Sequence, residues 1–126
     1  MKSNVSWFGW FGRWGPVVAY MAAIFVMSSI PGTQVPMPGL WRHDKVMHAL
    51  AFAGLAVLVF RATRHAPVAI GFATAYGALD ELHQRYTPHR SSDPADLAAD
   101  FAGACLGTGV ALMWVRLRTR RSARAR

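Results

Sequence analysis

Residues 14–30, WGPVVAYMAAIFVMSSI, form an uncharged run of 17 residues, and no other feature constrains the fold as tightly. A helix crosses a bilayer core with about 20 consecutive, predominantly apolar residues. A helix on the surface of a soluble domain carries a polar face, and this run has none. Trp7, Trp10 and Trp14 stand before it like an interfacial aromatic belt. Three further apolar stretches follow, at residues 46–60, 66–79 and 97–115. The middle two are short. They span only if polar ends count as helix: Lys45 and His48 on the first, residues 80–84 on the second. The pattern predicts an all-α fold, a compact bundle of four transmembrane helices. It forms a single domain over residues 1–126, with its core at about 14–115 and a basic tail at 116–126. A cleaved signal peptide is disfavoured, because Ser28-Ser29-Ile30-Pro31 is a poor small-x-small site and more apolar spans follow.

Composition narrows the class further. Hydrophobic residues make up 53% of the 126, which excludes disorder over most of the length. One cysteine, Cys105, excludes an internal disulfide framework and any multi-cysteine zinc site. The net charge of +8 could point to nucleic acid, but six of the fourteen basic residues crowd into positions 116–126 with no interleaved aromatics. No nucleic-acid partner is expected, and such a tail reads as an anchor on anionic lipid. With four spans, Lys2, Arg13, Arg61, Arg64 and the tail share one side, and only Arg42, Lys45, Arg85 and Arg90 face the other. Basic excess stays inside. The expectation is a multi-pass protein of the cytoplasmic (inner) membrane, with both termini cytoplasmic. Its longer connections, residues 31–44 and 85–95, face outward. The proline-rich stretch 31–38, PGTQVPMP, is expected to be extended and semi-rigid.

All six acids lie between Asp44 and Asp100, beside those outward connections. Charges at a membrane edge are costly unless they pair or serve a function. Asp44, Lys45 and His48 fall at helical spacing. Asp80, Glu81 and Gln84 share a face with Gly77, and Asp96 and Asp100 continue through Gly103 and Gly107. Gly103 and Gly107, four apart, make a smooth surface for close helix packing. The spacing predicts one polar cluster of Asp44, Lys45, His48, Asp80, Glu81, Gln84, Arg90, Asp96 and Asp100. Four histidines, His43, His48, His83 and His89, lie on the same side, but none shows HExxH or another strong zinc spacing. No metal and no cofactor are expected. Ser91 and Ser92 lack a nucleophile elbow and are expected to turn the loop and cap the next helix around Asp93-Pro94.

Taken in order, these residues resemble a known family. Ser28-Ser29-x-Pro31, Asp44-Lys45-x-x-His48, Asp80-Glu81-x-x-Gln84, Pro88-x-Arg90 and Asp96-x-x-x-Asp100-x-x-Gly103 are similar to the motifs of the VanZ-like family. The resemblance covers residues 20–107. It implies a small multi-pass bacterial membrane protein, and it brings a link to the teicoplanin-type glycopeptide resistance after which the family is named. Two positions depart from the family pattern. Asp100 stands where Asn is usual, and His89 where Gly precedes the loop arginine.

The expected function is an envelope protein whose outward pocket binds a lipid-linked or polar envelope molecule, with membrane lipid around it. Arg90 and Lys45 would hold an anionic group. Asp80, Glu81, Gln84 and Asp100 would meet hydroxyls, amines or a bridging cation. A rival reading is an intramembrane hydrolase or transferase, with Asp80 or Glu81 as base and His48 as acid. No nucleophile is evident, so binding ranks ahead of catalysis. A third reading is an assembly partner with no ligand, packing through Gly103 and Gly107.

Overall fold

The computed structural model describes residues 7–34 and 44–125, the side chains of Trp7 and Phe8 excepted. Four helices carry nearly all of it: α1 Trp7–Ser29, α2 Asp44–Thr63, α3 Ala66–Gln84 and α4 Pro94–Arg124. Each stops or starts for a local reason. α1 ends just ahead of Ile30-Pro31, where the proline ring pushes its predecessor out of the helical region. α2 closes on Arg64, whose left-handed φ of 61° lets its N–H return 2.7 Å to the Phe60 carbonyl. α3 opens with a proline in its first turn, where the missing N–H costs nothing. α4 is capped by Asp93, whose carboxylate accepts the Ala95 N–H at 2.9 Å, and Pro94 follows as the first helical residue.

Successive helices run antiparallel, and α2 and α4 are therefore parallel. The Arg61 guanidinium at the end of α2 donates to the Gly12 carbonyl near the start of α1. The Tyr76 hydroxyl of α3 donates to Met21 of α1 at 2.8 Å. Among the described residues, α2 touches all three other helices, whereas α1 packs on α2 and α3 and not on α4. The core reflects this central place. Phe52, Leu55, Ala56, Val59 and Phe60 of α2 meet Ala69 and Ala73 of α3 and Ala104 of α4. Gly103 and Gly107 bring α4 onto α2 so closely that a Cβ at either would collide with the Ala49 or Ala53 carbonyl. The glycine pair is therefore consumed inside the bundle, which removes the surface on which the assembly-partner reading relied.

Large apolar side chains face outward all round: Phe25, Val26, Leu50, Leu79, Leu106 and Val110 are all more than half exposed. An exposed apolar surface of this extent suits lipid rather than water. Three helices are long and apolar enough to cross a membrane: α1 from Gly9, α2 and α4. α3 falls short of the expected fourth, because its apolar part ends at Leu79 and Asp80, Glu81 and Gln84 occupy its last turns. Those three residues are buried within the bundle.

One other expectation changes. Within the proline-rich loop, Gly32–Gln34 form a 3-10 turn rather than an extended segment. Residues 35–43 of that loop, with Arg42 and His43, lie outside the described residues, as do Lys2 and Arg126. α4 continues through the basic tail to Arg124. Arginine is a good helix former, so helix propensity persists where hydropathy stops. At 31 residues α4 is about 46 Å long at 1.5 Å per residue, well beyond the roughly 30 Å of a bilayer core.

A polar cluster at one end of the bundle

The start of α2, the end of α3 and the start of α4 meet at one end of the bundle, and the nine polar residues named above lie there. α2 and α4 run side by side from their N-termini, so the Asp44-Lys45-His48 turn faces the Asp96-Asp100 face. Lys45 Nζ donates to Asp93 Oδ2 at 3.0 Å and to Asp96 Oδ1 at 3.2 Å. His48 Nδ1 donates to Asp100 Oδ1 at 2.9 Å. The other ring nitrogen, Nε2, lies 3.8 Å from Asp44 Oδ1 and 4.0 Å from Asp96 Oδ2. Both ring nitrogens of one imidazole thus face carboxylates. The ring stacks against Phe52 below it.

α3 supplies the third side. Gln84 Nε2 donates to Asp80 Oδ2 at 3.1 Å, one helical turn back. Glu81 Oε2 accepts from the Ser92 hydroxyl and the Asp93 N–H, both at 3.1 Å, and so ties α3 to the loop before α4. Gly77 leaves room for Asp100, since a Cβ there would sit 2.6 Å from Oδ2. Burial is deep: Asp100 is 0% exposed, Asp96 2%, Glu81 7% and His48 8%. Asp93 lies outside the helices, at the surface. Its carboxyl is held below the usual aspartate range, chiefly by the Ala95 N–H and then by the Lys45 ammonium.

Lys45 and Arg90, expected to hold an anion, give donors to the chain itself. Arg90 Nε donates to the Ile30 carbonyl and Nη2 to Met27, both at 3.2 Å. The guanidinium thereby meets two carbonyls at the C-terminal end of α1, where the helix dipole is negative. Its loop is shaped by His89, which has a left-handed φ of 57°. Ser92 does not cap α4; Asp93 does, and Ser92 serves Glu81 instead.

Beside the cluster is a cleft of about 280 Å³ between α1, α2 and α3. Asp44, His48, Asp80, Gln84 and Arg90 line it at one end, and Tyr20, Ile24, Met27, Met47 and Phe52 line the rest. Apart from Ser28, the α1 wall carries no motif residue and no charge to mark it in the sequence.

The match to known proteins fits this geometry. The family described as VanZ/LLP1 matches residues 7–116, which takes in α1 to α3, most of α4 and every residue of the cluster. The chain belongs to the VanZ/LLP1 family. Proteins of the VanZ family are membrane proteins, in keeping with the three apolar helices. No curated protein and no solved structure gives a significant match. Within the VanZ frame both departures acquire a physical meaning. His89 occupies a left-handed position, which explains a glycine preference there. Asp100 keeps the acceptor that an Asn would offer His48, but adds a second oxygen, Oδ2, which is buried without a hydrogen-bond partner among the described residues.

Proposed function

We propose that this VanZ protein binds the head of an envelope lipid in the cleft between α1, α2 and α3, at the outer side of the cytoplasmic membrane. The observation that carries the reading is the two-part lining of that cleft. A carboxylate, imidazole, amide and guanidinium edge adjoins a wall of Tyr20, Ile24, Met27, Met47 and Phe52. A molecule with a polar head and an apolar body matches such a surface, and a purely polar solute does not. In this reading α3 crosses the membrane as a fourth span, its polar last turns shielded by α2 and α4. The start of α1, the α2–α3 link and the arginine-rich end of α4 share one end of the bundle, and the basic excess there favours the cytoplasmic side. The head recognised is one rich in hydroxyls or amines, because Asp44, Asp80 and Gln84 offer acceptors at the cleft while Lys45 is held by Asp93 and Asp96. A lipid-linked sugar of the cell envelope has that chemistry. Teicoplanin-type resistance remains attached to the family resemblance rather than to this cleft.

Native mass spectrometry of gently extracted protein tests the proposal. Ala51 lines the cleft, and Ala51→Phe fills it without changing charge. The parent should retain a lipid adduct that Ala51→Phe loses. An equal adduct on both, or bare protein in both, overturns the proposal.

A further inference from the structure

We propose that His48, Asp44 and Asp96 form a binding site for one divalent transition-metal ion at the edge of the cleft. The linear sequence does not mark the site, because its donors come from two helices and match no strong metal signature. The parallel packing of α2 and α4 brings them together. Nε2 of His48 stands 3.8 Å from Asp44 Oδ1 and 4.0 Å from Asp96 Oδ2, and all three donor atoms lie within 4.8 Å of one another. Three ligands around a single ion at metal–ligand distances of about 2.0–2.2 Å have a similar spread, so small side-chain movements close the site. No direct hydrogen bond joins Nε2 to either oxygen at these separations.

The second ring nitrogen completes the argument. Nδ1 of His48 is held by Asp100 Oδ1 at 2.9 Å. A metal-ligating histidine is typically oriented in this way by a carboxylate on its far nitrogen, which fixes the tautomer and raises ligand basicity. Lys45 takes Asp96 Oδ1 at 3.2 Å, which leaves Oδ2 turned towards the ring.

Two buried carboxylate oxygens near the same ring give an independent reason to place a cation there. Glu81 Oε1 and Asp100 Oδ2 are buried without a hydrogen-bond partner among the described residues. Glu81 is 7% and Asp100 0% exposed. A carboxylate oxygen of each lies within 4.8 Å of a ring nitrogen of the same His48. Unpartnered buried carboxylate oxygens are expensive, and a divalent charge beside His48 would offset that cost. One imidazole with two carboxylates suits Mn²⁺ or Zn²⁺ better than the soft ions that prefer sulfur. Asp44 and His48 also line the cleft, so the ion would lie at its wall. The inference concerns the same end of the bundle as the lipid proposal but does not depend on it.

Co²⁺ is the probe, because its visible d–d bands report its ligands. Chelator-treated, delipidated protein in mild detergent is titrated with Co²⁺ alone. The expected result is a saturable band with one ion per chain, displaced by Zn²⁺. Asp44→Asn, at the partly exposed ligand, should weaken the affinity by at least about 10-fold with an unchanged far-ultraviolet spectrum and melting midpoint. His48→Ala should abolish the band. If His48→Ala fails to fold, Asp44→Asn alone decides. No saturable band in the parent overturns the site, and so does a band that Asp44→Asn leaves unchanged. An imidazolium that merely bridges the carboxylates gives the first of these results. The lipid adduct is read separately by mass spectrometry, so either proposal can fail while the other stands.

Discussion

Replacing Arg90 separates a helix clamp from a ligand-binding arginine. Its guanidinium makes two hydrogen bonds of 3.2 Å to the Met27 and Ile30 carbonyls. A hydrogen bond from a charged donor contributes about 1.5–3 kcal/mol net. Arg90 is half-buried, so the lower part of that range applies. Arg90→Ala should therefore cost about 3–4 kcal/mol over the two bonds. α1 feels the loss most, because only 11% of its spanning window is buried by the rest of the chain. Arg90→Lys keeps the positive charge near the α1 C-terminus, a contribution of about 0.3–1 kcal/mol, and can reach one carbonyl but not both. It should fall between Ala and the parent. Unfolding by SDS titration from mild detergent micelles measures the difference. Hydrogen exchange localises it, with faster exchange expected at the end of α1 and in the 85–92 loop. Should both variants unfold with the parent and exchange at the parent's rate, Arg90 is no clamp and its two bonds contribute nothing to the fold.

Other substitutions test other parts of the structure. Gly103→Ala places a methyl 2.7 Å from the Ala49 Cα, against backbone that cannot rotate away, and should destabilise the bundle by about 1–3 kcal/mol in the same SDS titration. His89→Gly should stabilise it by about 0.5–1 kcal/mol. The left-handed φ of 57° costs a Cβ-bearing residue about 1–2 kcal/mol, of which glycine's extra backbone entropy takes back part. The Asp93 carboxyl is depressed in the folded state, so its stabilising effect is present above its unfolded value near 3.8 and is lost as pH falls through the lower folded value. The melting midpoint should drop on acidification below about pH 4, and Asp93→Ala should remove part of that drop.

How much of this was visible in the sequence depended on what kind of partner each residue has. The stripes Asp44/His48, Asp80/Gln84 and Asp96/Asp100 could be read because side chains four apart share a helical face, and the fold joins them at one end. Gly103 and Gly107 were legible as a close-packing surface, though not as one directed at Ala49 and Ala53 of the same chain. The bonds from Arg90 to the end of α1 were not legible, because backbone carbonyls leave no mark in a side-chain pattern. The Tyr20–Met27 wall of the cleft was silent for a related reason: lipid-facing and cleft-facing apolar residues look alike. The metal donors were hidden because Asp44 and Asp96 are 52 positions apart, and only the parallel pairing of α2 with α4 brings them to one ring.

The central claim is that the cleft selects a lipid by its head, and in-cell capture tests it most directly. A photo-crosslinking residue replaces Met47, which lines the cleft, and in a second protein Leu106, which is 69% exposed on the outer surface of α4. After illumination of living cells, the lipids attached at each position are identified by mass spectrometry. The account predicts that position 47 captures one head-group class far above its abundance in the membrane, while position 106 returns the bulk lipid mixture. The same mixture at both positions would contradict it.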